Sequence, residues 1–387
     1  MCPSIELLKS LRDNIKAMKI GLVGGGTGGH FYPLIAVAAE LQANPNSSEL
    51  FYFGPEPYDL KALKSANIKY VYCPAGKMRL YFSIQNFFDV FRNLIGVPLA
   101  IIKLFLIYPD VIFSKGGYTS IPILLAARFL RIPIVIHESD AVPGRANAIA
   151  QKAARYIAIS YDDAAKFFPE EKTALTGIPL RKEITATCEN PFALLGLSKD
   201  KPLIYITGGS SGAERINNII IRSLDTLLPH YRIFHQTGPA NIEEMRQAAQ
   251  SLLGDSPDLE DYYLEGKLEA STISALLQAS ALVITRAGST TLFEIASHAK
   301  PSIVIPIPED ISRDQRTNAY AYARTGAATV IEEQNLTENL LAQEISSIIG
   351  DSAKYQEMSV AAKSFYIEGS AKKIADILIS IGHEHKS

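Results

Sequence analysis

Cysteine is scarce in this chain: Cys2, Cys73 and Cys188 stand far apart among 387 residues. An odd, widely spaced set makes neither a disulfide framework nor a C-x-x-C metal motif, and it favours a reducing, cytoplasmic setting. Positive charge in excess is also missing. With 38 Lys and Arg against 40 Asp and Glu the net charge is −2. That balance excludes a general nucleic-acid binder, whose affinity rests on neutralising many phosphates, so any basic patch must be local. Long apolar runs are missing too. Met1 to Lys19 carries Lys9, Arg12, Asp13 and Lys16 among scattered apolar positions and lacks a signal-peptide core; Met18-Lys19-Ile20 reads as a candidate start. The most lipid-like stretch, Asn93 to Tyr108, is broken by Pro98 and Lys103 and falls short of the roughly 20 residues that span a bilayer.

What is present is a steady alternation of strand-like apolar runs with helical patterns, the signature of parallel sheets covered by helices on both faces. The length exceeds what one hydrophobic core holds, so two domains are expected. The runs predict strands at Ile20–Val23, Leu50–Phe53, Tyr70–Cys73, Val111–Phe113, Ile134–His137 and Tyr156–Ile159. Between Thr176 and Lys201 the pattern weakens through Gly177-Ile178-Pro179-Leu180-Arg181 and Asn190-Pro191, a domain crossing. It then begins again, with strands at Leu203–Thr207, Tyr231–Gln236, Tyr262–Leu264, Leu282–Thr285, Ser302–Pro306 and Ala328–Ile331. The division expected is an extension at 1–17, an N-terminal domain at 18–180, a linker at 181–200, a C-terminal domain at 201–365 and a final helix at 366–387 that can pack back on the N-terminal domain. The fold class is α/β, two doubly wound domains facing across a cleft.

Both halves open on the same local device. Gly24-Gly25-Gly26-Thr27-Gly28-Gly29-His30 follows the strand Ile20–Val23 and leads into the apolar helical run from Pro33 to Leu41; Gly208-Gly209-Ser210-Ser211-Gly212 follows Leu203–Thr207 in the same way. Glycines at a strand-to-helix turn let a diphosphate or a polar sugar approach backbone N–H groups and the positive end of the helix dipole. His30 adds a titratable imidazole at that mouth. Gly24, Gly26 and Gly29 also fit a dinucleotide-binding G-x-G-x-x-G. An NAD site, however, wants an acidic residue ending the second strand, and here Gly54-Pro55 precedes Glu56.

Further along, Thr285-Arg286-Ala287-Gly288-Ser289-Thr290-Thr291-Leu292-Phe293-Glu294 is again strand, small-residue turn and helix start. Ser289 or Thr290 can cap that helix, its free N–H groups can hold a pyrophosphate, and Glu294 can accept from a vicinal diol such as that of a ribose. Gln315, in the polar stretch after Pro306-Ile307-Pro308, can donate to and accept from a sugar hydroxyl or acetamido group. Lys115-Gly116-Gly117-Tyr118 forms a second phosphate-sized notch beside the first glycine loop. In the segment Ile136-His137-Glu138-Ser139-Asp140, His137 reads as a structural histidine, Glu138 and Asp140 as holders of ligand or loops. From Gly76 to Lys115, Lys77, Arg79, Arg92, Lys103 and Lys115 outnumber Asp89 and Asp110 and alternate with Tyr81, Phe82, Phe87, Phe88, Phe91, Phe105 and Tyr108. Basic groups beside aromatics suit a monotopic contact with anionic lipid headgroups, although Phe87, Phe91 and Leu94 also have core-helix spacing.

Seven motifs in order carry a family resemblance: GGGTGGHFYP at 24–33, KGGY at 115–118, HESDAVPGRAN at 137–147, TGIPLR at 176–181, GGSSGAERIN at 208–217, RAGSTTLFE at 286–294 and DQRTNA at 314–319. From about Met18 to the C-terminal helices the chain resembles the MurG family, transferases that add N-acetylglucosamine to the undecaprenyl-pyrophosphoryl-muramoyl-pentapeptide of cell-wall synthesis. The resemblance implies a GT-B fold, with UDP-N-acetylglucosamine on the C-terminal domain and the lipid-linked acceptor on the N-terminal one, at the cytoplasmic face of the plasma membrane. It implies His30 as general base in an inverting transfer. Donor contacts follow at Thr27, Gly28, Gly29, Asp140, Arg181, Ser210, Ser289, Thr290, Thr291, Leu292, Phe293, Glu294 and Gln315, and acceptor-diphosphate contacts at Gly25, Gly26, Gly116, Gly117 and Tyr118. No metal or cofactor is called for, since backbone dipoles can supply the electrostatics. The chain departs from the family pattern at Asp140 (usually Asn), Ser211 (usually Gln), Glu214 (usually Arg) and Asp314 (usually His or Gln). The alternatives are a GT-B transferase acting on another lipid acceptor such as diacylglycerol, a UDP-N-acetylglucosamine 2-epimerase, and a sugar-nucleotide-binding scaffold without turnover.

Overall fold

The computed structural model describes residues 17–44, 48–76, 84–209, 212–309 and 313–386, the side chains of 84–88, 90–91, 313–314 and 386 excepted. Residues 1–16, Ser210 and Ser211 therefore lie outside the described residues, as do Lys77, Arg79, Tyr81 and Phe82 and the side chains of Phe87, Phe88, Phe91 and Asp314. Two parallel sheets organise the rest. The first contains β1 (Met18–Val23), β2 (Ser48–Gly54), β3 (Lys69–Tyr72), β4 (Val111–Ser114), β5 (Ile134–Glu138), β6 (Tyr156–Ile159) and β7 (Thr173–Leu175), in the order β3-β2-β1-β4-β5-β6-β7. The second contains β8 (Leu203–Thr207), β9 (Arg232–Gln236), β10 (Tyr262–Glu265), β11 (Leu282–Thr285), β12 (Ser302–Val304) and β13 (Ala328–Val330), in the order β10-β9-β8-β11-β12-β13. The central strands β4, β5, β8 and β11 are buried at every position, as near-continuous apolar runs covered on both faces must be. β7 escaped the sequence reading: three residues at the sheet edge, none fully buried, leave no periodic signal. In each sheet the winding reverses beside the first strand, between β1 and β4 and between β8 and β11, which opens a crevice at the carboxyl ends.

The chain crosses between lobes twice. Residues 181–200 are not a free linker. Their short helices Lys182–Thr185 and Pro191–Leu195 pack on the helix Ala270–Ala279, where Cys188 N donates to Gln278 Oε1 at 2.8 Å and Ser274 Oγ to Ala186 O at 3.0 Å. The last helix, Ser370–Lys386, returns to the N-terminal lobe, burying Ile374, Ala375, Leu378 and Ile381 in one core with Met18, Ile20, Leu34 and Leu41. Another apolar cluster spans the lobes: Ala141, Tyr161, Ile178 and Leu180 meet Phe293 and Ala321.

One N-terminal helix, Ile84–Ile107, has two contrasting faces. Gly96, Ala100 and Leu104, four residues apart, turn inward. Leu94, Ile95, Ile102, Phe105 and Leu106 turn outward, the last two 65% and 75% exposed, beside Phe129 at 72%. Lys103 lies at that surface with its Nζ donating to Tyr72 O at 2.6 Å. Lys115, grouped in the sequence with the basic residues of this region, does not: it is 1% exposed and points into the lobe, because β4 carries it to the floor of the crevice. Among the described residues no helix is long and apolar enough to cross a membrane.

Candidate active site

At the end of β1 the chain makes its turn through Gly24, Gly25 and Gly26, the last at φ +88°, and enters the helix Gly28–Ala43 from an extended Thr27. The turn after β4 runs through Gly116 and Gly117, the latter at φ +79°. The two turns touch: a Cβ on Gly117 would lie 3.2 Å from Gly25 O and 3.7 Å from His30 Cδ2, and one on Gly26 would lie 3.1 Å from the Tyr118 ring. Side chains are excluded where two backbones meet so closely. Gly25, Gly26, Gly116, Gly117, Tyr118 and His30 thus form one patch at the N-terminal crevice.

His30 Nδ1 and Thr27 Oγ1 are hydrogen-bonded at 2.9 Å. Burial lowers the pKa of the imidazole below its ordinary value, the nearby Lys115 charge lowers it further, and Asp140 partly opposes both, so the ring is neutral near pH 7. Beneath it, Lys115 Nζ donates to His137 Nδ1 at 2.5 Å and to Ser139 Oγ. Burial brings the Lys115 pKa down to about 7, with Glu138 and Asp140 holding it up. His137 Nε2 donates to Gly177 O at 2.8 Å, and burial keeps this ring neutral too, a satisfied structural histidine. Glu138 holds the following loop: its carboxylate accepts from Asp140 N at 3.0 Å, Gly144 N at 3.0 Å and Asn147 Nδ2 at 2.9 Å. Burial and the Asp140 charge push its pKa up to about 7 against those hydrogen bonds.

Across the cleft, β11 leads into the helix Ser289–Ser297, whose N-cap is Gly288 rather than Ser289 or Thr290. Ser289 Oγ donates elsewhere, to Asp140 Oδ1 at 2.6 Å, and Asn318 Nδ2 donates to the same oxygen at 2.8 Å. Ala141 N completes the clasp by donating to Asn318 Oδ1 at 2.9 Å. Asp140, assigned from the sequence to the donor, is thus occupied in joining the lobes. Leu292 and Phe293 meet this cleft differently from Thr290 and Thr291. Both side chains are fully buried, Phe293 against Tyr161 and Phe365, since their helix turns this face to the core; only their backbone is left to a ligand. Gln315 lies in the helix Arg313–Ala323 rather than in a loop, and its Oε1 accepts from Ala287 N at 3.2 Å. Ser210 is outside the described residues.

Thr290, Thr291 and Glu294 face a cleft of about 1020 Å³ between the lobes, opposite Gly28, Gly29, Tyr32 and Arg181. A Cβ on Gly29 would come within 3.4 Å of Thr290 Oγ1, so the His30 helix and the Ser289 helix meet end to end. Burial pushes the Glu294 pKa up to about 7, opposed by Arg181. Sequence reasoning missed much of the lining, Tyr32, Tyr58 and the Lys267-Leu268-Glu269 segment just after β10 among it. The rule that ligands sit beyond the carboxyl ends of parallel strands could have found that segment. Among the described residues no three His, Cys, Asp or Glu side chains converge as metal ligands.

The glycosyltransferase family 28 N-terminal domain matches residues 20–159 and the family 28 C-terminal domain residues 203–377. Among curated proteins, the UDP-N-acetylglucosamine–N-acetylmuramyl-(pentapeptide) pyrophosphoryl-undecaprenol N-acetylglucosamine transferase of Treponema denticola is 32% identical over 375 residues, 92% of this chain and 96% of that protein. A Bacillus cereus protein of the same name, transferase 2, is 35% identical over 341 residues, 87% of this chain and 93% of its own length. Solved structures share the fold, two of them as follows. Acinetobacter baumannii MurG superposes with a TM-score of 0.71 at 24% identity, over 94% of this chain and 99% of that one. A Neisseria meningitidis UDP-GlcNAc 2-epimerase bound to UDP-GlcNAc gives 0.67 at 17%, over 94% and 100%. Two doubly wound lobes facing across a cleft are the GT-B arrangement expected from the sequence. With its glycine turns, its clefted lobes and a third of its residues shared over nine-tenths of its length, the chain belongs to the family of UDP-N-acetylglucosamine–N-acetylmuramyl-(pentapeptide) pyrophosphoryl-undecaprenol N-acetylglucosamine transferases.

Proposed function

We propose that this protein moves N-acetylglucosamine from UDP-N-acetylglucosamine to the 4-hydroxyl of the muramoyl sugar on an undecaprenyl-pyrophosphoryl-MurNAc-pentapeptide, with inversion at the anomeric carbon. The observation that carries the reading is the meeting of the His30 helix with the Ser289–Ser297 helix across one cleft. On the C-terminal side the free N–H groups of the helix start would bind the donor diphosphate, with Glu294 on the ribose diol and Arg181 on the phosphates. The N-terminal patch of Gly25, Gly26, Gly116, Gly117 and Tyr118 would hold the acceptor diphosphate against bare backbone.

In this scheme His30 Nδ1–H donates to Thr27 Oγ1, which leaves Nε2 bare as the base. Nε2 takes the proton from the muramoyl hydroxyl as its oxygen attacks the anomeric carbon, the bond from that carbon to the β-phosphate oxygen breaks, and UDP departs toward the helix N-terminus and Arg181. The lowered proton affinity of His30 supports this role, because a base must be unprotonated at working pH. The acceptor carries a prenyl chain, and the outward apolar face of the Ile84–Ile107 helix with Phe129 is suited to lie peripherally on an anionic membrane, at its cytoplasmic face.

Incubation with radiolabelled UDP-N-acetylglucosamine and a short-chain analogue of the muramoyl lipid tests the reading. Label is expected in the lipid product. Label entering diacylglycerol instead, or epimerised nucleotide sugar with no lipid product, would replace it with one of the alternative reactions.

A further inference from the structure

Arg181 is the cation that the proposed function places on the donor diphosphate, and its surroundings are unusual for a cleft arginine. Among the described residues no carboxylate lies within ion-pair distance of it. Its guanidinium carbon sits 4.0 Å from the ring centroid of Tyr32. A ring face holds the cation without accepting a conventional hydrogen bond from its N–H donors, which a carboxylate partner would do.

The ring beneath it is fixed from several sides. Tyr32 OH donates to Asp59 Oδ2 at 3.3 Å, and Asp59 Oδ1 is itself held by Ala62 N at 2.9 Å as the cap of the helix Leu60–Ser65. Phe31 and Tyr58 meet the Tyr32 ring edge-on at 5.6 and 5.7 Å. Tyr32 lies two residues beyond His30 on one helix, and the residue after Arg181, Lys182, pairs with Glu40 near the far end of that helix at 3.0 Å. The segment bearing Arg181 is thereby registered to the helix that carries the proposed base.

We propose that Tyr32 is a positioning residue for the donor: its ring holds the Arg181 guanidinium in the cleft with its N–H donors unspent, ready for bidentate contact with the diphosphate of the nucleotide sugar. The inference rests on the assignment of Arg181 to that diphosphate.

A double-mutant cycle on UDP binding, followed by titration calorimetry, tests it. Arg181→Ala is expected to weaken UDP. Tyr32→Leu is expected to weaken it on the order of tenfold, the size of a partly desolvated cation–π contact, while Tyr32→Phe, which keeps the ring, stays within about twofold on the same scale. The double variant Tyr32→Leu/Arg181→Ala is expected to bind no worse than Arg181→Ala alone. In turnover, Tyr32→Leu raises KM for UDP-N-acetylglucosamine and leaves KM for the acceptor in place. Tyr32→Met replaces Tyr32→Leu if the latter lacks a cooperative thermal transition. Fully additive losses, or a Tyr32→Phe variant as weak as Tyr32→Leu, would overturn the positioning role and leave the transferase assignment standing. An Arg181→Ala variant with wild-type UDP affinity would remove both the assignment of Arg181 and this proposal.

Discussion

Lys115 is a buried cation at the point where the two glycine turns of the N-terminal lobe meet, and its charge reaches His30. Removing it in Lys115→Met lifts one of the two influences that depress the imidazole. The His30 pKa is then expected to rise toward 6.5, so the acidic limb of the kcat/KM profile moves to higher pH; an unmoved limb would separate Lys115 from the base. Glu294 offers the opposite sign. Its folded pKa is raised from 4.5 to about 7, so the stability it contributes is present at low pH and lost as pH rises through about 7. Glu294→Gln is expected to melt higher than wild type at pH 8 and to lose that advantage toward pH 5, measured by thermal denaturation. At this scale the sequence showed chemistry better than wiring. His30, Glu294 and the glycine patch were legible because turns and helix starts have local signatures. The capture of Asp140 by Ser289 and Asn318 was not, since those partners are 149 and 178 residues away. Helical periodicity sends the Leu292 and Phe293 side chains to the core, so any donor contact within that run falls to their backbone.

The Ile84–Ile107 helix shows how one element can be read two ways from sequence. The core face is made by Gly96, Ala100 and Leu104, whereas Leu94, which the sequence grouped with Phe87 and Phe91 at core spacing, is 63% exposed and lies outward with Ile102, Phe105 and Leu106. Gly96 lets the helix come close to its neighbours: a Cβ there would meet Pro74 O at 2.3 Å. Phe105→Glu with Leu106→Glu leaves the packed face alone, so folding and activity on a water-soluble acceptor are expected to hold. Binding to anionic vesicles in a sedimentation assay should weaken by about tenfold for each apolar side chain withdrawn from the interface. Unaltered vesicle binding would move the membrane contact to another face. The strands of the central sheets were legible as apolar runs, while β7 and the folded segment 181–200 were not, because they owe their form to neighbours more than to periodicity.

At the scale of the whole molecule the lobes are joined by the clasp at Asp140, the cluster around Phe293 and the returning helix Ser370–Lys386. Leu378 sits fully buried in the core that this helix shares with β1, and Leu378→Ala is expected to cost about 2–5 kcal/mol, read as a lower urea midpoint; a midpoint unchanged from wild type would mean that the helix adds little to the N-terminal lobe. The recurrence of strand, glycine turn and helix in both halves made the two-lobe plan readable from the chain alone, whereas the contacts across the cleft needed three dimensions. The division of labour between lobes is the central claim. It is tested most directly by steady-state transfer of label from UDP-N-acetylglucosamine to the short-chain muramoyl lipid, with His30→Ala and Glu294→Gln compared side by side. His30→Ala is expected to lower kcat by about 10²–10⁴-fold, the usual contribution of a general base, with little change in UDP affinity. Glu294→Gln is expected to act mainly through KM for the nucleotide sugar. A His30→Ala enzyme that retains wild-type kcat, or one whose only defect is in nucleotide binding, would contradict the account.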